Sequence, residues 1–228
     1  MNTCLTGISS MATRQVLDDA TELWRRRGGD VSFESVGGVE AAKRLQGGEA
    51  FDVVVLAAAA IDKLVATGRV LADSKIDLAL SSVAIAVRQG AAQPAVATER
   101  DLREAVLSAG TIGYSTGPSG VALLEIFERW GIAETVKSRL IQAAPGVSVG
   151  TLIARGDVAL GFQQLSELTG LDDVAVVGSM PPGLEIVTTF SGAVCATSMQ
   201  ADAARALLAF LHSPAADEAK RRYGMQPA

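Results

Sequence analysis

The chain has 228 residues, 49% of them hydrophobic, with 20 basic and 25 acidic residues and a net charge of −5. That is ample material for one large core or two small ones, and the acidic balance leaves no basic field for nucleic acid. No run of roughly 18 apolar residues occurs, so no direct membrane insertion is predicted.

Residues 3–8 predict a first strand, and residues 11–27 a helix in which Val16, Leu17, Ala20, Leu23 and Trp24 recur at helical spacing. Ser9 and Ser10 stand at the junction. A hydroxyl pair there suits a helix N-cap, beside unpaired N–H groups and the positive end of the helix dipole, which is also the chemistry of an anion site. An N-cap without a ligand uses the same residues.

Residues 31–35 read as a strand and 39–45 as a helix. The near-continuous apolar run 51–56 is that of a strand buried on both faces, and 61–66 is a short helix. Three strand–helix units predict a parallel, doubly wound sheet. Residues 80–87 form a further strand, and 88–99 a polar stretch containing Pro94. A second series follows: strand 111–114, helix 121–130, strand 140–141, helix 149–154, strand 158–162, a helical turn 164–168 and strand 174–177. Strand-like runs at 186–190 and 193–196 lead to helices at 201–211 and 215–223, which return to the first part of the chain.

The expected architecture is α/β: two doubly wound lobes joined by a two-crossing hinge, with a ligand cleft between them. One lobe takes 1–81 plus 192–228 and the other 82–191. The crossings fall near Ser81-Ser82 and between Pro182 and Gly192.

Four loops after strands share one composition: Gly7-Ile8-Ser9-Ser10, Ser35-Val36-Gly37-Gly38, Ser115-Thr116-Gly117-Pro118-Ser119-Gly120 and Ala144-Pro145-Gly146-Val147-Ser148. Each precedes a helix. Glycines let the backbone approach a ligand, and helix starts and hydroxyls bind an anion without a buried lysine; the same residues also mark ordinary turns. No phosphate-loop or dinucleotide-loop pattern occurs, and no cofactor is predicted. Cys4 and Cys195, both in apolar runs, have no metal-ligand spacing and are expected to be buried free thiols. His212, the single histidine, stands at the end of a C-terminal helix just before Ser213-Pro214, which argues against a Ser-His-Asp triad or a multi-histidine metal site; it reads as a helix C-terminal dipole partner or a surface residue.

The chain resembles type II periplasmic binding proteins, close to the molybdate-binding subunits of ABC transporters. The resemblance is carried by Ser9-Ser10-Met11, the stretch from Gly48 to Val55, Pro118-Ser119-Gly120, the stretch from Ala154 to Phe162, and Phe210-Leu211-His212-Ser213-Pro214. It implies a small anionic ligand and ABC-transporter membrane subunits as partners. It places oxyanion ligands at Ser10 (with Ser9 as competitor), Ser119 and the backbone of Val147, near Gly120 and Ser148. Two positions depart from the molybdate pattern: Gly37-Gly38 stand where that family has serines, and Gln164 where a tyrosine is typical. The amides of Gln163 and Gln164 suit a carboxylate at least as well; they also read as surface helix polarity.

The stretch from Gly161 to Leu168 also resembles the branch that includes aconitate isomerase. An isomerase needs a base within reach of the substrate carbon. Glu34, Tyr114 and Glu167 are the candidates, with Arg14 to hold a carboxylate; solvated charge and, for Tyr114, core packing are the alternatives. The opening residues show no secretory leader, so the chain as written reads as cytoplasmic, or periplasmic if a leader has been removed.

Overall fold

The computed structural model describes residues 4–144 and 146–228. Along the chain run β1 (Leu5–Ser10), α1 (Arg14–Arg25), β2 (Val31–Val36), α2 (Gly38–Gln46), β3 (Val53–Ala57), α3 (Ala58–Ala66) and β4 (Ile76–Arg88). Then come α4 (Glu99–Ser108), β5 (Ile112–Tyr114), α5 (Pro118–Arg129), α6 (Ala133–Val136), β6 (Leu140–Gln142), α7 (Val149–Arg155), β7 (Leu160–Gln164), α8 (Leu165–Leu168) and β8 (Val174–Ser179). The chain closes with β9 (Val187–Val194), α9 (Ala201–His212), α10 (Asp217–Arg222) and β10 (Gln226–Pro227). Contacts divide it into two compact units: the chain up to Ser81 with Thr188–Ala228, and Ser82–Val187.

In the first unit β2, β1 and β3 are parallel, with Ser9 opposite Ser35 and Ser10 opposite Val36. β9 runs antiparallel beside β3, so the two short runs expected at 186–196 are one strand. β3 is buried on both faces, as its composition demands. Val53 and Val55 pack with Leu17 and Ala20 of α1 and Leu207, Leu208 and Leu211 of α9. Val54 and Leu56 pack with Leu45 of α2 and Ile61 and Leu64 of α3.

In the second unit β7, β5 and β6 are parallel, and the latter part of β4 pairs antiparallel with β7 and β8. One face carries Val83, Ile85, Leu102, Val106, Leu123, Phe127 and Phe162. The other carries Ala84 and Ala86 under Val149 and Ile153 of α7. Gly113 and Gly161 face each other across β5 and β7 on that second face. A Cβ on Gly161 would lie 2.5 Å from Ile153 Cδ1, and one on Gly113 2.8 Å from Val158 Cγ1. The bare strands therefore let α7 lie close on the sheet.

Three expectations are corrected and one helix is added. β1 runs two residues further than expected, to Ser10 with its extended backbone (φ −69°, ψ 144°), and Ser10 caps a 3-10 turn, Met11–Thr13, that intervenes before α1. Of the first predicted strand, Thr3 lies outside the described residues. Gln163 and Gln164 belong to β7, paired with Ala84 and Val83, and are buried; they are no part of a surface helix. Helix α4 has no counterpart among the expected elements. Its start is written in Thr98, whose side chain accepts from Asp101 N at 3.1 Å, and in Leu102, Ala105 and Val106 at helical spacing. Finally, Cys4 is exposed, since it precedes the first paired residue, Leu5; Cys195 is buried, which raises its thiol to about 12, and both are free.

Candidate functional site

In the first unit the parallel register brings the ends of β1 and β2 together, so the Ser9-Ser10 and Gly37-Gly38 loops are neighbours. The two serines have different jobs. Ser9 is fully buried, and its Oγ is 2.8 Å from Ser35 Oγ. Ser10 is half-buried; its Oγ accepts from Ala12 N at 3.3 Å, and its carbonyl accepts from Thr13 Oγ1 at 2.9 Å. A hydroxyl in that state still has a proton to donate. A Cβ on Gly38 would lie 3.6 Å from Ser10 Oγ, and one on Gly37 would meet nothing within 4 Å. Gly37 N-caps α2, its carbonyl accepting from Ala41 N at 2.9 Å. The two glycines thus leave space beside Ser10 at a helix start.

In the second unit the loops after β5, β6 and β7 leave from the same end of the parallel strands. Gly117 N-caps α5, and Pro118 opens it with the φ a helix requires. Ser119 Oγ lies 3.1 Å from Ser115 Oγ. Gly120 is sterically obligatory: a Cβ there would sit 1.9 Å from the Ser115 carbonyl oxygen. After β6, Val147 N donates to Ala144 O at 3.0 Å, and Ser148 Oγ caps α7 by accepting from Thr151 N at 3.0 Å. Pro145 of this loop lies outside the described residues.

Gln163 ties the remaining loops together. Its Oε1 accepts from Gly150 N at 2.9 Å, in the first turn of α7, and its Nε2 donates to Glu167 Oε1 at 2.8 Å. Gln164 is buried beside it in β7. Ser166 is buried, and its Oγ has no hydrogen-bond partner among the described residues. Burial raises the Glu167 carboxyl to about 7, against the opposing pull of the Gln163 bond.

The other acid–base candidates separate cleanly. Glu34 is held by Arg44, 2.9 Å from Nη2 to Oε2, and Arg44 also holds Glu49; the Arg44 bonds keep both carboxyls below their ordinary range. That is an exposed ion network. Tyr114 is half-buried and packs on the second unit's larger core. Arg14 is exposed at the first residue of α1 and is in no ion pair among the described residues. His212 Nδ1 lies 2.8 Å from the Asp77 carbonyl, at the end of α9. Reading the sequence missed Ser115 and Ser166 as individual site residues, though both lie in segments it singled out. It also passed over Asp52, a buried carboxylate that accepts from Thr6 N at 2.9 Å and Ser198 Oγ at 2.6 Å, just ahead of β3. Among the described residues no cluster of His, Cys, Asp and Glu could hold a metal ion, and no helix is long and apolar enough to cross a membrane.

Two α/β units, with hydroxyl and glycine loops at the carboxyl ends of parallel strands, are the architecture of a type II periplasmic binding protein. The periplasmic molybdate-binding protein of Azotobacter vinelandii shares the fold, with a TM-score of 0.80 at 18% identity over 97% of this chain and 98% of that one. Residues 5–226 match the bacterial extracellular solute-binding proteins, and this chain belongs to that family. An aconitate isomerase from a Pseudomonas species is 41% identical over 187 residues, 81% of this chain and 70% of the relative. The molybdate-binding protein ModA of A. vinelandii is 27% identical over 113 residues, 48% of this chain and 44% of its own.

Proposed function

We propose that this solute-binding protein takes a small carboxylate-bearing anion at the loops that follow its parallel strands. The observation that carries the reading is how few hydroxyls those loops leave open. Ser9 and Ser148 are committed inside the fold, and the second loop turns on Gly37 and Gly38. A tetrahedral oxyanion brings four oxygens, each of which needs donors when it leaves water. A carboxylate is planar and brings two. In the first unit Ser10 keeps a proton to donate, with Arg14, in no ion pair among the described residues, one turn beyond it; in the second the Ser115–Ser119 pair stands at the start of α5.

Removing Ser10 and Ser119 together tests this. Each hydrogen bond to a charged ligand is worth about 1.5–3 kcal/mol, so the double Ser→Ala variant loses at least about tenfold in affinity, with the melting temperature of the free protein little changed. Unchanged affinity by calorimetry removes these residues from the site. In this reading the protein works outside the cytoplasm, as its family does, and hands its ligand to the membrane subunits of an ABC transporter.

A second reading is favoured by one specific observation. The 41% identical relative is an aconitate isomerase. On this reading the same loops hold one carboxylate of a tricarboxylate while its double bond is moved. Turnover of cis- or trans-aconitate by the purified protein, followed by NMR, distinguishes a catalyst from a carrier.

A further inference from the structure

We infer that Glu167, aimed by Gln163, is the proton-transfer group for an allylic double-bond shift in an unsaturated polycarboxylate; this rests on the carboxylate-binding reading above. The argument begins with Gln163. It is buried in β7, and its amide has one possible orientation, because Gly150 N–H fixes Oε1 as the acceptor at 2.9 Å. Nε2 must then face Glu167, and it does so at 2.8 Å. The carboxyl is therefore held from one side by a neutral donor that is itself anchored to the first turn of α7, two residues from Ser148.

Acidic side chains in this protein otherwise have evident structural partners or lie in water. Glu34 and Glu49 share Arg44, Asp73 pairs with Arg205, and buried Asp52 is bonded by Thr6 and Ser198. Glu167 differs. No cation pairs with it among the described residues, α8 carries no other charge, and the one charge of α7, Arg155, is at that helix's far end. Beside it, Ser166 Oγ is buried with no hydrogen-bond partner among the described residues, an unusual state for a hydroxyl unless something else meets it. A carboxyl raised to about 7 is populated as both base and acid near neutral pH, the condition for taking and returning a proton in one cycle.

The step balances without a co-reactant. The Glu167 carboxylate removes a proton from the methylene carbon adjacent to a substrate carboxylate. The C–H electron pair becomes the new C=C bond, and the old C=C pair shifts to its far carbon. That carbon takes the proton back from the Glu167 carboxylic acid. One C–H bond breaks and one forms.

The test uses the intact protein with cis- and trans-aconitate, calorimetry for binding and proton NMR in D2O for exchange and isomerisation. Wild type is expected to bind, to interconvert the two and to incorporate deuterium, with a pH-rate limb near 7. Glu167→Gln should bind within about threefold and lose at least about 100-fold in turnover, with Glu167→Asp recovering part of it. Gln163→Met removes the bond that holds the carboxyl down, so the limb moves to higher pH. Wild type that binds without exchange, or a folded Glu167→Gln variant that still turns over, overturns the role of Glu167 while the carboxylate reading stands. Failure of wild type to bind either tricarboxylate overturns the role of Glu167, and failure to bind other small carboxylates as well overturns the carboxylate reading.

Discussion

Gly38 leaves open space beside the Ser10 hydroxyl. Ser10 keeps a proton to donate, and the neighbouring loop places no atom of residue 38 beyond its backbone next to that hydroxyl. The space is real: a Cβ at 38 makes ordinary contact at 3.6 Å and no positive φ restricts the position. Gly38→Ser should therefore fold normally and add a second hydroxyl beside Ser10. Binding of molybdate or sulfate should strengthen by at least about tenfold relative to carboxylates, the worth of one hydrogen bond to a charged group; an unaltered preference in competition calorimetry contradicts the role given to this loop. Gly120 is the opposite case. Gly120→Ala drives a methyl group into the Ser115 carbonyl, so the turn that holds Ser119 must shift, and anion affinity should fall together with thermal stability.

At the scale of elements, the second unit depends on how closely α7 lies on the sheet. Gly113 and Gly161 permit the approach, and the approach puts Gly150 N on Gln163 and so orients Glu167. Gly161→Ala overpacks this contact. It should cost about 1–3 kcal/mol, read as a lower midpoint in denaturant unfolding with an unchanged slope; a midpoint equal to wild type would mean that α7 is not held by this contact. This coupling was only partly legible in the chain. The apolar run of β3 and the spacing within α1 announced themselves, because periodicity reports burial directly. Gln163 and Gln164 did not. Two amides between an apolar strand and a helical turn read as ligand donors or as surface helix polarity, and only pairing with Ala84 and Val83 shows the strand continuing through them. The Thr98 cap of α4 was likewise readable, yet its helix begins inside a polar, proline-containing stretch that masks it. The loop residues stood out by type. Which of their hydroxyls the fold keeps for itself, Ser9 and Ser148 among them, depends on strand register and capping geometry that composition does not contain.

For the whole molecule, the same carboxyl ties stability to pH. Glu167 is raised in the folded state, so between the ordinary glutamate value and about 7 the native protein holds a proton that the unfolded chain has lost. Stability from this group is present at low pH and declines as pH rises through that window, levelling above it. Glu167→Gln should flatten the decline; denaturant midpoints of the two proteins at several pH values check it, and parallel curves would contradict the raised carboxyl. Glu34 and Glu49 act in the opposite sense, because the Arg44 bonds lower them, but they are exposed and solvent screening leaves them little weight.

We expect these loops to select a small carboxylate. A thermal-shift panel on the purified protein with cis- and trans-aconitate, other di- and tricarboxylates, molybdate, tungstate, sulfate and phosphate tests it most directly, since a ligand that binds only the native state raises the melting temperature by mass action. The carboxylates are expected to give shifts that exceed those with the tetrahedral oxyanions. A shift with molybdate or tungstate alone would contradict it.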